Sequence, residues 1–309
     1  MFFVLKIFKY FIFLFIVNAH SYQASIPREN GDLIHYYLKT PEKKSFPILL
    51  WIQGSQCLSA HRHLERYEEL SKGAPAFGIL VVEKYGLNKE HDETKKCPES
   101  YLRNNDLNQR VKDYRKVLSH LEDQKNNWNK ELFILGGSEG ADITARLAPI
   151  LNPKKIVVLV GGLGMTMAES LSFSIRRLLE VENYHEQIIE NELSNLPSVF
   201  QEIAQNPTWK KTWGGPTNTY QYWNSLLFHR TWIDLLKFKG KILSIHGTND
   251  SSVPVESARK LVDIFDENNK ENLEYWEYAG LGHDMKDEEG NEFTPKILKR
   301  ALDWLWETH

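Results

Sequence analysis

The sequence predicts an α/β fold, with a mostly parallel central sheet flanked by helices and a helical cap inserted between two of the central strands. Three observations carry this. From about Asp32 onward, short runs of Ile, Leu and Val succeed helical patterns at regular intervals. The runs are near-continuously apolar, as in strands covered on both faces. The succession of strand and helix breaks only once, between Gly164 and Lys241. Strands separated by helices imply parallel pairing with right-handed crossovers.

Taken in order, LIHYYL (33–38), FPILLWIQ (46–53) and FGILVVEK (77–84) read as strands. Between the last two, HRHLERYEELSKG reads as a helix closed by Gly73. Residues 105–124 place Leu107, Val111, Tyr114, Val117, Leu118 and Leu121 at helical spacing, with Asp106 available as a cap. Then come the strand ELFILG (131–136), a helix after Ser138, and the strands KKIVVLVGG (154–162) and KILSIHG (241–247). A helix from Val255 to about Asn268, the strand LEYWEYAG (273–280) and a helix from Pro295 to about Glu307 complete the pattern. The stretch 166–240 is mostly helical, ends in an aromatic-rich segment and has no strand pattern. It reads as a cap over a core formed by residues 25–165 and 241–309.

Composition supports one large globular unit: 309 residues, 41% hydrophobic, 26% charged and 12% aromatic. A formal charge of −3 without a dense basic block leaves no footprint for nucleic acid. Residues 1–19, MFFVLKIFKYFIFLFIVNA, place Lys6 and Lys9 before an apolar stretch that ends in small residues. That is the pattern of a secretory signal peptide, with cleavage after Ala19 or Ala24. The rival, an uncleaved anchor, needs about 20 apolar residues to span a bilayer, so no stable membrane anchor is expected after cleavage. Export makes a disulfide the default for the two cysteines, Cys57 and Cys97, with a free Cys57 as the alternative. Two isolated thiols are a poor metal set, and no cofactor is expected.

Gly136-Gly137-Ser138-Glu139-Gly140 fits G-x-S-x-G, a pattern that a chain this long meets by chance on the order of 10% of the time. Its context is specific: a strand enters and a helix leaves, as a nucleophile elbow requires. Glycines at 136 and 140 remove side chains that would clash at so sharp a turn. The helix N-terminus sets the Glu139 N–H beside the oxyanion that would form on acyl attack. A serine needs a base, and the base an orienting acid. Asp250, in HGTNDSSVP (246–254), and His283, in AGLGHD (279–284), each follow a predicted strand. Such loops at the carboxyl ends of parallel strands meet at the ligand crevice. Asp284 adjoins His283 but ranks behind Asp250, because a sequence neighbour rarely turns back to its partner's ring. His246, at a strand end, reads as structural, and His61, His63, His91, His120, His185 and His229 as surface or cap residues.

On GGSEG, HGTNDSSVP and AGLGHD, and on the order of elements around them, the chain resembles the α/β-hydrolase superfamily over essentially its whole mature length. Within it the motifs look like the branch of prolyl oligopeptidase-type serine peptidases and dienelactone-hydrolase-like enzymes. The resemblance implies the α/β-hydrolase fold, with the cap between strands 6 and 7 in that fold's count. It also implies serine hydrolase chemistry with a Ser138-Asp250-His283 triad. A second oxyanion donor belongs in the loop Gln53-Gly54-Ser55-Gln56-Cys57, from Ser55 N–H or else Gln56 N–H. Many relatives carry His-Gly there, and Gln53 replaces the histidine without disturbing a backbone donor.

The expected partner is a small-molecule or short peptide acyl substrate: an ester or thioester, alternatively a peptide or amide. A hydrolase-fold binding or effector protein with vestigial catalysis is the third reading. Gln56, Trp209, Trp213, Tyr220, Tyr222 and Trp223 are candidates for an acyl pocket, the alternative being that the rings pack the cap onto the sheet. The Glu139 side chain either meets a substrate amine or hydrogen-bonds within the elbow.

Overall fold

The computed structural model describes residues 21–70, 77–92, 95–124 and 127–307. The segment 1–19, read from sequence as a signal peptide, and Gly73 lie outside the described residues. Eight strands form one sheet: β1 (Ser21–Pro27), β2 (Leu33–Lys39), β3 (Phe46–Ile52), β4 (Gly78–Val82), β5 (Trp128–Gly137), β6 (Lys155–Leu159), β7 (Lys241–Gly247) and β8 (Leu273–Tyr278). The helices are α1 (Arg62–Leu70), α2 (Glu99–Asn104), α3 (Leu107–Asp123), α4 (Glu139–Leu151), α5 (Met167–Val181), α6 (Glu186–Gln205), α7 (Tyr220–Leu226), α8 (Thr231–Lys237), α9 (Val255–Glu267) and α10 (Thr294–Trp306).

The strand order is β1-β2-β4-β3-β5-β6-β7-β8. The β1–β2 and β2–β4 pairs are antiparallel, and every pair from β4 through β8 is parallel. Strands β3, β4 and β6 are buried along their whole length, which is why their sequences show no alternation. One apolar cluster lies between the sheet and the face carrying Leu107, Val117, Ile143, Leu147, Leu235 and Leu261. The other lies under α1 and α10, with Leu64, Ile297, Leu298 and Leu302.

Two elements escape the sequence pattern. Strand β1, SYQASIP, is a polar edge strand paired only with β2, so it carries no apolar run. Helix α2 is a single short element of six residues, ESYLRN, with one wholly buried side chain, Tyr101. The stretch between β6 and β7 holds α5 to α8 and no named strand. Its last helix, α8, packs against α4 and α9 in the helical layer on the sheet.

Helix α3 starts where Asp106 caps it, its side chain accepting from Asn108 N at 2.7 Å and Gln109 N at 3.0 Å. Its buried stripe of Leu107, Tyr114, Val117, Leu118 and Leu121 faces the sheet. Asp106→Ala should leave two amide donors without that partner and cost about 1 kcal/mol of stability. A urea titration measures this, and an unchanged midpoint would show that the cap contributes nothing.

Candidate active site

Strand β5 delivers Gly137 to the carboxyl edge of the sheet, and the chain reverses into α4 through Ser138. Ser138 adopts φ +54° and ψ −127°, a left-handed region unfavourable for a residue with a side chain. The turn is possible because its neighbours are glycines. A β-carbon at 136 would overlap the Gly140 carbonyl and the Thr144 hydroxyl, and one at 140 would overlap the Ile52 carbonyl.

The structure brings Ser138, His283 and Asp250 together in one hydrogen-bonded line. His283 Nε2 lies 3.1 Å from Ser138 Oγ, and His283 Nδ1 lies 2.8 Å from Asp250 Oδ2. With Nδ1–H donating to the carboxylate, Nε2 is left to accept the serine proton. The loops after β7 and β8 meet because Gly247 has no side chain: a β-carbon there would overlap the Leu281 carbonyl. Asn249 N then donates to Leu281 O at 2.9 Å, fixing the acid's loop to the base's loop. Asp284 instead sits 3.4 Å from Lys286 at the surface.

Asp250 is fully buried, and its Oδ1 accepts from the backbone N–H groups of Ser252 (2.8 Å) and Val253 (2.9 Å). Burial alone would raise its carboxyl, but hydrogen bonds from His246 and His283 hold it well below the usual carboxylate range. The His246 contact adds a partner to the residue read from sequence as structural. Its Nε2 lies 3.2 Å from Asp250 Oδ2 and 3.0 Å from Val253 O, so this buried ring is a second neighbour of the acid. The usable signal was the spacing of His246 and Asp250 across one tight turn.

Gly54 runs directly over the nucleophile: a β-carbon on it would stand 3.5 Å from Ser138 Cβ and from the Gly137 carbonyl. Ser55 and Gln56, next along this loop, are exposed, and neither amide has an acceptor among the described residues. Cys57 closes the loop in a disulfide to Cys97, Cα to Cα 5.7 Å, just before α2.

Three side chains or groups that the sequence left open take definite surroundings. The Glu139 side chain is buried at 5% exposure and ion-paired with Arg110, with Lys84 Nζ at 3.7 Å. It therefore faces inward rather than toward a substrate amine. Burial opposes its ionisation, yet the Lys84 and Arg110 charges, with the Tyr222 hydroxyl, hold its carboxyl below the ordinary value. Second, of the two readings of the insert's aromatic rings, packing and pocket lining, their contacts favour packing. Tyr220, Tyr222 and Trp223 are buried in the core, Trp213 meets Trp223 and Phe200 edge-on, and Arg103 covers Trp209 at 4.5 Å. Large rings give the insert apolar area at low entropic cost, which explains their density here. Third, His63 is half-buried with both ring nitrogens covered: it stacks on Trp51 at 5.1 Å, and desolvation pulls its imidazole down to about 3.

The arrangement defines the class as an α/β-hydrolase fold. The model of the prolyl oligopeptidase family matches residues 198–309, the segment that holds Asp250 and His283. None of the curated proteins compared with the sequence matches it. Among solved structures, the chain is similar to Est1E from Butyrivibrio proteoclasticus, at 14% identity and TM-score 0.55, over 91% of this chain and 96% of that one. It is similar to an esterase from Pyrococcus furiosus at 12% identity and TM-score 0.60, covering 93% and 90%. A puromycin-hydrolyzing peptidase from Mycobacterium tuberculosis aligns at 15% identity and TM-score 0.59, over 92% of this chain and 38% of that one. The likeness to these structures shows the α/β-hydrolase fold, and the family model adds a match over the C-terminal part of the chain.

Two outcomes test this geometry. A carboxyl held below its unfolded pKa of about 4 contributes stability that is complete above that value and lost as pH falls through the depressed native one. Asp250→Asn should therefore be less stable than the parent at pH 7, with the gap beginning to narrow only below about pH 4 and closing further as the pH falls past that value. Urea midpoints across that range check it, and a gap independent of pH would contradict it. Removing the disulfide by Cys97→Ser frees a loop with a sequence separation of 40. The chain-entropy model puts that loss at about 4 kcal/mol, and turnover should fall with it. Parental turnover in a folded Cys97→Ser protein would show that the bridge does not hold the loop.

Proposed function

We propose that the protein is an exported serine hydrolase that cleaves an ester or thioester through an acyl-enzyme. The observation that carries the reading is the unbroken line from Ser138 Oγ through both nitrogens of His283 to the buried Asp250 carboxylate, at 3.1 and 2.8 Å. His283 takes the Ser138 proton as Ser138 attacks the substrate carbonyl. The Ser55 and Glu139 N–H groups receive the developing oxyanion. Asp250 fixes the tautomer and stabilises the imidazolium, which then hands its proton to the leaving group. Water enters by the same route in reverse, with His283 as base, and frees the acid product. The oxyanion donors lie on a fixed loop and at a helix start, so little reorganisation is needed when charge develops. The insert 166–240 acts in this reading as a cap beside the crevice.

Export is supported by the Cys57–Cys97 disulfide, which suits an oxidising compartment. Among the described residues no helix is long and apolar enough to cross a membrane. Ester chemistry is favoured by Est1E and the Pyrococcus esterase, both aligned over nearly their full lengths. The second reading, a peptidase or amidase, is favoured by the peptidase family match over the Asp250 and His283 segment and by the puromycin-hydrolyzing neighbour.

Ser138→Ala should abolish turnover and labelling by a fluorophosphonate probe while leaving the thermal midpoint near the parent's. Substantial residual turnover would remove Ser138 from the role of nucleophile. A panel of short- and long-chain p-nitrophenyl esters against aminoacyl amides separates the two substrate classes, with faster turnover expected on the esters. A parent chain that neither labels nor turns over any of them would favour a binding protein.

A further inference from the structure

The loop over the nucleophile has an unusual property. Each of its four consecutive carbonyls, from Gln53 to Gln56, accepts a hydrogen bond from a side chain on another segment. Arg110 donates to Gln53 O at 2.9 Å. Lys84 Nζ donates to Gly54 O, and to Gln56 O at 2.8 Å. The Tyr101 hydroxyl donates to Ser55 O at 2.9 Å. All three side chains are buried, and two of them are basic.

A trans peptide is planar, with its C=O and N–H pointing to opposite sides. Holding the Gly54 carbonyl therefore aims the Ser55 N–H, and holding the Ser55 carbonyl fixes that same residue from its other side while aiming the Gln56 N–H. The two candidate donors of this loop are thus oriented from behind, one by Lys84 and one by Tyr101. Both cations of this set converge on a single carboxylate, that of Glu139, whose own N–H is the donor on the opposite side. Packing alone does not account for this choice of residues. Three charged groups taken out of water are costly, and well-packed apolar side chains often serve stability as well.

Resting on the serine-hydrolase reading above, we infer that Lys84, Arg110, Tyr101 and Glu139 are positioning residues of the oxyanion hole. Lys84 and Tyr101 aim the loop donors, Arg110 anchors the loop where it leaves β3, and Glu139 couples that assembly to the elbow. The side chain of the elbow residue thus tunes a site it never touches directly, through the two cations it holds.

The test uses the full chain with Tyr101→Phe and Glu139→Gln, each nearly isosteric. Turnover of a p-nitrophenyl ester, inhibition by an alkylboronic acid that mimics the tetrahedral adduct, and the rate of fluorophosphonate labelling are read together. Removing an oxyanion donor outright costs about a hundred- to a thousandfold in kcat, and a donor left in place but no longer aimed costs less. Tyr101→Phe should lower kcat by about tenfold and Glu139→Gln by up to about a hundredfold, with KM within about twofold. Boronate affinity and labelling rate should fall by similar factors, which a loss of general stability would not produce in a protein with a parental thermal midpoint. Should Glu139→Gln fail to fold, Tyr101→Phe alone decides. A folded Tyr101→Phe protein with parental kcat and boronate affinity overturns the inference. Persistent turnover in Ser138→Ala overturns the nucleophile assignment instead, so the two failures are distinguishable.

Discussion

The turn at Ser138 exists only because two nearby residues lack side chains, and much of the structure follows from that. Gly140 lets the first turn of α4 lie against the carbonyl end of β3, and Gly136 lets the same turn lie on β5. The close approach fixes the start of α4 relative to the sheet, so the dipole of that helix and the first free N–H groups point at one place. It also brings the loop after β3 within contact of the serine. Strand order does the rest: β5, β7 and β8 end on the same edge, and Gly247 lets the last two loops touch.

Two buried carboxylates are kept ionised in this site by different means. Asp250 relies on hydrogen bonds from two backbone amides and two imidazoles, and it borders the reacting groups through His283. Glu139 relies on charge, with a guanidinium and an ammonium against it and no open face. The second arrangement has its own tension. Burial pulls the Lys84 ammonium down to about 7 although the Glu139 charge opposes the fall. A cation in that condition is held by its partner and in turn holds the loop, so neither group is independent of the other.

The parallel strands and the helices between them were legible because strands buried on both faces are written as unbroken apolar runs and helices as a 3.6-residue stripe. The elbow and the loops holding Asp250 and His283 were legible because each is local: a few residues in a row with glycines at the close approaches. What escaped has a common cause. Strand β1 is half-exposed and polar, and α2 is too short to show a period. The partners of Glu139 come from β4's end and from α3, and nothing in the spacing of Lys84, Arg110 and Glu139 marks them as neighbours. His246 stands only four residues from Asp250, yet its contact depends on how the turn folds back. The aromatic segment was ambiguous for a different reason, since rings that fill a core and rings that line a cavity have the same composition.

The insert leaves the sheet from the end of β6, and β6 lies between β5, which carries Ser138, and β7, which leads to Asp250. It therefore rises from the middle of the catalytic edge while contributing none of the three aligned residues. Its exposed parts can vary without moving the strands that align them, whereas Tyr220, Tyr222, Trp223 and α8 are packed into the core. In the cap reading proposed above, selection of what enters and the chemistry done on it would be separable traits.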